Sequence, residues 1–223
     1  MNPPALKRQR GRRKALNYDS VELVMLMAFK SLVVVDNFYG DPLAVRNQAL
    51  RASWHRKEGA QYAGMVAPAI VPDGTTQYFQ SLIGRPPQPV PGVKFGTFKR
   101  SFASDKAPTD IHVDSTVWGA IVFLSNPPDP DGGLSFWQHK RYGWEWAPSK
   151  AEYEAAGFAS FDEMIERVGW EEGRDRARWT EVMRVPMKFN RLVLFQGLLW
   201  HSHTMNFGDT LENCRLVQVF GFN

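Results

Sequence analysis

Ile111-His112-Val113-Asp114 reads as part of a strand, and residues two apart in a strand project to the same side, so His112 and Asp114 can face one metal ion while Val113 faces the opposite layer. The answering stretch is Leu192-Val193-Leu194-Phe195-Gln196-Gly197-Leu198-Leu199-Trp200-His201: an apolar strand, a turn containing glycine, and a histidine opening the next strand. Two imidazoles and a carboxylate gathered on one face hold a divalent metal and leave coordination positions open. His203 competes for the third place, because His201-Ser202-His203 obeys the same two-residue period. His139 and His55 carry no supporting pattern and read as surface or packing residues.

Working outward, Val93 to Phe102 alternates as a strand should, Val117 to Leu124 is a continuous apolar run suited to a central strand, and Asn126 to Gly133 is a long turn before Leu134-Ser135-Phe136-Trp137. Strands and turns in this alternation predict a mostly β fold with flanking helices, a double-stranded β-helix of jelly-roll or cupin-like form, open at one end for a ligand. Between Gln138 and Thr180 the strand pattern breaks. Two capping boxes, Ser149 with Glu152 and Ser160 with Glu163, open helical segments that Gly157 and Gly169 are expected to end, which makes an αα insertion over 139–180. The aromatic residues Trp137, Tyr142, Trp144 and Trp146 precede it, either as a binding surface or as packing for the insertion.

The run from about Phe95 to Asn223 resembles the 2-oxoglutarate and Fe(II)-dependent oxygenase superfamily, in the style of its prolyl-hydroxylase-like branch. The resemblance rests on His112-Val113-Asp114, on Gly132-Gly133-Leu134-Ser135-Phe136, on Leu194 to His201, and on Arg215 in Cys214-Arg215-Leu216-Val217. It implies Fe(II) held by His112, Asp114 and His201, with His201 preferred over His203 by its spacing from Phe195. It also implies Arg215 paired to the far carboxylate of the cosubstrate 2-oxoglutarate, a contact that the guanidinium fork suits. O2 completes the cofactor set, and the implied reaction hydroxylates an unactivated C–H bond of an amino-acid or peptidyl substrate. His203, Trp137 and Trp200 are candidates for supporting the ligands or touching substrate. Two features depart from the pattern. Arg215 follows His201 by fourteen positions, a longer interval than usual, which Asn206 to Asn213 explains as an enlarged turn, and Val217 stands where a serine or threonine is common. Two further readings differ in class: a non-catalytic jelly-roll module holding structural zinc with His203 as fourth ligand, and a cupin-type metal-dependent hydrolase or isomerase.

The 223 residues, 43% hydrophobic, fit a single domain with a sizeable core. It is divided as a basic tail over 1–18, a supporting strand and helix region over 19–92, and a catalytic core over 93–223. In the support region, Val21 to Phe29 and Ser31 to Asp36 give at least one strand ending near Asp36, followed by a helix capped by Asp41, with Pro42 at its first position and an apolar stripe through Arg51. Residues 61–92 are rich in Gly and Pro and read as turns and a stiff connector carrying no chemistry. Lys7, Arg8, Arg10, Arg12, Arg13 and Lys14 supply six positive charges, and without them the formal charge of +4 becomes −2. Nucleic-acid contact would therefore rest on the tail alone, and a small-molecule or peptide substrate is the expected partner. No run is long and apolar enough to span a bilayer, no secretory signal is evident, and the single cysteine, Cys214, forms no internal disulfide, so a cytoplasmic protein is expected.

Overall fold

The computed structural model describes residues 31–56, 62–107, 109–129 and 131–223. The basic tail and the apolar run over 21–29 lie outside the described residues.

The described chain is mostly β. A six-stranded antiparallel sheet comprises β1 (Leu32–Val35), β2 (Met65–Ala69), β3 (Phe95–Ser101), β4 (Trp118–Phe123), β7 (Leu192–Gln196) and β9 (Arg215–Phe222), in the spatial order β1-β7-β4-β9-β3-β2. A three-stranded antiparallel sheet has β5 (Gly133–His139) between β6 (Trp179–Pro186) and β8 (His201–His203). β4 lies between β7 and β9 and is covered on both faces, which is why Trp118-Gly-Ala-Ile-Val-Phe123 is unbroken by charge.

Alternation along the strands divides the core. Ala120, Val122, Leu194, Leu216 and Phe220 face an outer layer made by α1 (Pro42–Arg51) and α2 (Thr75–Ile83), which bury Val45, Ala49, Phe79 and Ile83 there. Phe123, Val193, Phe195 and Val217 face the smaller sheet and meet Leu134, Phe136 and Val185. α1 begins where the sequence places it, with the Asp41 carboxylate accepting from the Ala44 N–H and Pro42 opening the first turn.

Two expectations need correction. Residues 61–92 are more than a connector, since they contain β2 and α2. Phe79 on α2 is fully buried among Phe38, Phe95, Phe220 and Phe222, and that burial outweighs the local density of glycine and proline. Gly169 does not end a helix. It lies inside a π-helix, Ile165–Glu171, that continues α4 (Phe161–Met164) after α3 (Lys150–Ala155). Tight turns over Glu172–Arg174 and Arg176–Arg178 then lead into β6.

The aromatic residues before α3 pack this helical stretch against the sheets: Tyr142 stacks on Trp144 with centroids 4.4 Å apart, and both touch Phe158. Trp146 and Trp170 remain exposed. His139 is buried, with Nε2 2.6 Å from the Glu172 carboxylate. Among the described residues no helix is long and apolar enough to cross a membrane.

Candidate metal centre and its cavity

His112 and His201 face each other across a short antiparallel bridge, exchanging N–H to carbonyl bonds of 3.0 and 2.9 Å. Each imidazole is oriented by its own backbone. The His112 Nδ1 lies 2.8 Å from the Asp110 carbonyl, and the His201 Nδ1 lies 2.8 Å from the Leu199 carbonyl. A carbonyl can only accept, so each Nδ1 carries the proton and each Nε2 keeps its lone pair for a metal. Asp114 stands between them, with carboxylate oxygens 3.9 Å from the His112 Nε2 and 3.7 Å from the His201 Nε2. One ligand atom from each of the three lies within 4.8 Å of the others, a set that could hold a metal ion. Burial pulls His201 down to about 4, so it is neutral at physiological pH, as a ligand must be. His203 falls outside this set of three, and its ring is held neutral by burial, with Arg215 adding to the effect.

The space around Asp114 depends on two glycines. A Cβ on Gly119 would approach the Asp114 Oδ2 to 2.8 Å and the Phe195 ring to 2.6 Å, and a Cβ on Gly197 would collide with the Thr116 carbonyl. The Asp114 N–H donates to the Gly197 carbonyl at 2.7 Å, so the turn after β7 fixes the backbone of Asp114.

The three side chains sit in the wall of a cavity of about 510 Å³ between the sheets. Strand register orders what lines it. On β9, Arg215, Val217 and Val219 share the cavity face, and on β3 Ser101 lies opposite Arg215 and Lys99 opposite Val217. Register with β4 puts Phe222 beside Trp118 and Val217 beside Phe123, so Arg215 is at the end of the strand far from Trp118. Arg215 is 6% exposed, its Nε has no hydrogen-bond partner among the described residues, and burial lowers it only to about 10, leaving it charged at neutral pH.

The expected site residues are thus placed as follows. His112, Asp114 and His201 converge, Arg215 and His203 line the same cavity, and Trp200 lines it while donating its indole N–H to the Trp146 carbonyl. Trp137 is buried beside the site rather than in the cavity wall, bonded to the Ser202 hydroxyl at 3.0 Å.

Five residues at the site had no signal assigned to them in the sequence: Lys99, Tyr62, Arg176, Ile165 and Trp170. Lys99 lines the cavity from β3, and burial lowers it to about 8. Its signal was the alternation of β3, where it shares a face with Thr97 and Ser101. Tyr62 lines the cavity from the stretch read as a connector. Arg176 holds the Asp110 carboxylate through two bonds of 2.5 and 3.0 Å and donates to the His203 and Thr204 carbonyls. It thereby ties the helical stretch to the segments that carry His112 and His201. The π-helix adds Ile165 and Trp170, five residues apart and both lining the cavity, a spacing its wide turn brings onto one face.

Two solved structures of one protein share this fold. HygX from Streptomyces hygroscopicus, with nickel, 2-oxoglutarate and hygromycin B bound, superposes with a TM-score of 0.52 at 13% identity, covering 91% of this chain and 86% of that one. HygX with nickel and 2-oxoglutarate bound matches with the same values. An N-substituted L-amino acid dioxygenase from Burkholderia ambifaria AMMD matches with a TM-score of 0.39 at 15% identity over 90% of this chain and 85% of that one. No curated protein matches the sequence. Residues 103–215, from just after β3 to the first residue of β9, match a family described as a family of unknown function (DUF6445), and the chain belongs to that family.

Proposed function

We propose that the protein is an Fe(II)- and 2-oxoglutarate-dependent dioxygenase built on a double-stranded β-helix. The carrying observation is the donor set: two imidazoles with Nδ1 tied to carbonyls and one carboxylate, open on one side to a cavity also lined by the buried Arg215, whose Nε has no hydrogen-bond partner among the described residues. The shared fold with HygX, which was solved with 2-oxoglutarate and nickel, supports the same reading.

In this assignment His112, Asp114 and His201 hold the iron, and Arg215 pairs with the far carboxylate of 2-oxoglutarate through its planar fork. Bound Fe(II), with 2-oxoglutarate and O2, supplies the oxidising power to hydroxylate an unactivated C–H bond. The protein's part is position and exclusion. The Asp110 and Leu199 carbonyls keep both imidazoles in the ligating tautomer, and the Gly197 carbonyl fixes the backbone of Asp114. Phe195, Leu134 and Val217 make the cavity wall apolar beside the ligands, which keeps water from the reacting atoms. The substrate assigned is an amino acid or peptidyl side chain, with the prolyl-hydroxylase-like branch as the nearest style.

An anaerobic titration with Fe(II) and then 2-oxoglutarate tests the assignment. A weak visible charge-transfer band that forms with wild-type protein and is absent from His201→Ala supports it. Bound metal with no band on adding 2-oxoglutarate removes the cosubstrate, and with it the oxygenase reading.

A further inference from the structure

The cavity wall carries more positive charge than the cosubstrate uses. Lys94, Lys99 and Arg215 all line it, against the carboxylates of Asp110 and Asp114. Asp110 is already bound by Arg176, and Asp114 is the metal ligand of the proposed site. Lys99 and Arg215 are diagonal neighbours on one face of the β3 and β9 pair, since Lys99 lies opposite Val217 and Arg215 opposite Ser101. Two like charges so placed repel, and among the described residues neither forms an ion pair with a carboxylate. Asp114 is the carboxylate that most favours the charge on Lys99, and a bound metal ion takes up that influence.

The two cations differ in depth and surroundings. Arg215 stands at the far end of β9, beside His203. Lys99 is two rungs nearer the strand ends that carry Gly221 and Lys94, and its ammonium lies 4.5 Å from the centroid of the Tyr62 ring, whose other cation, Lys94, is at 3.4 Å. A ring face compensates an ammonium only in part. The Tyr62 hydroxyl is itself buried without a hydrogen-bond partner among the described residues. A charged donor and an unused hydroxyl donor therefore share one wall of the cavity, apart from the guanidinium.

Resting on the oxygenase reading, we infer that Lys99 and the Tyr62 hydroxyl form a second anion subsite that binds a carboxylate of the substrate, separate from the cosubstrate carboxylate held by Arg215. The Lys99 ammonium and the Tyr62 hydroxyl, with the Lys94 ammonium over the same ring, suit a carboxylate. This narrows the proposed amino-acid or peptidyl substrate to one that carries a free carboxylate, such as an amino acid or a C-terminal residue.

The experiment loads full-length protein anaerobically with Fe(II) and 2-oxoglutarate. It then titrates a series of N-acetyl-L-amino acids and the matching N-acetyl-L-amino amides, reading binding by calorimetry. Wild type is expected to bind at least one acid tenfold or more tightly than its amide. Lys99→Met should abolish that preference while keeping the 2-oxoglutarate dissociation constant within twofold, Tyr62→Phe should weaken the acid selectively, and Lys99→Arg should retain the preference. Equal binding of acids and amides, or no acid bound across the series, overturns the subsite. A tenfold loss of 2-oxoglutarate affinity in Lys99→Met, matching Arg215→Ala, overturns it too, by giving Lys99 to the cosubstrate. Failure of the oxygenase reading shows earlier and separately, as wild-type protein that forms no complex with 2-oxoglutarate before any probe is added, and it takes the subsite down with it.

Discussion

At the scale of single residues, the constraint that bears directly on the Asp114 carboxylate is the missing side chain of Gly119. A methyl group there meets the Asp114 carboxylate and the Phe195 ring inside van der Waals distance, and the carboxylate is the partner more able to move. Gly119→Ala is therefore expected to lower Fe(II) or Ni(II) affinity by about 10- to 100-fold, the scale seen when support for a metal ligand is disturbed, and to cost about 1–3 kcal/mol of stability. Calorimetric metal titration and denaturant unfolding check both parts, and unchanged metal affinity would show that Asp114 has room to spare. The juxtaposition of His112 and Asp114 was legible because strand geometry alone sets which residues share a side. Lys99 obeys the same geometry, yet its role was hidden. Alternation says that Thr97, Lys99 and Ser101 share a face, and only the outer layer of Phe79, Phe98 and Phe220 decides which face points inward.

At the scale of elements, the helical stretch between β5 and β6 does more than cover the cavity. Arg176 at its end clamps Asp110, whose carbonyl orients His112, and reaches the carbonyl of His203 on β8. Arg176→Ala should leave the fold intact and weaken metal binding by about tenfold through a loosened His112, measurable by the same titration. Another joint ties the edge strand β1 to the start of β7. Asp36 accepts from Arg191 Nε at 2.6 Å and from Lys188 Nζ at 2.8 Å, and these cations hold its carboxyl well below the usual carboxylate range. A carboxylate whose folded value is depressed stabilises the fold above its unfolded value and loses that contribution as pH falls toward the folded one. The melting temperature of Asp36→Asn should thus lie below wild type at pH 7, with the gap closing below about pH 4 and shrinking in high salt. A gap independent of pH would assign the effect to packing. The capped helix α1 was readable because Asp41 and Pro42 act locally. β2 and α2 were not, because their stability comes from distant partners, Lys99 and Arg100 on β3 for the strand and the phenylalanine cluster for the helix.

At the scale of the whole molecule, the ligand set of the proposed site spans both sheets. His201 comes from β8 of the smaller sheet, Asp114 packs against Gly119 of β4, and Arg215 opens β9 of the larger sheet. A metal ion and a dicarboxylate bound across them would cross-link the two layers, and any ligand that binds only the folded chain raises its stability by mass action. At about 100 times its dissociation constant each ligand contributes about 2.7 kcal/mol, which for a chain of this size raises the melting temperature by roughly 5–10 °C. The increments should be ordered. Ni(II) alone gives the first, 2-oxoglutarate added to the metal-loaded protein gives the second, and 2-oxoglutarate without metal gives little, because its keto-acid end then lacks the ion it chelates. Arg215→Ala should keep the first increment and lose most of the second, whereas Asp114→Ala should lose both. Thermal melts under anaerobic, metal-free conditions with stepwise additions decide the matter. A full second increment in Arg215→Ala would mean that the buried guanidinium serves the fold of β9 rather than the cosubstrate, and the far carboxylate would then have to be sought at Lys99.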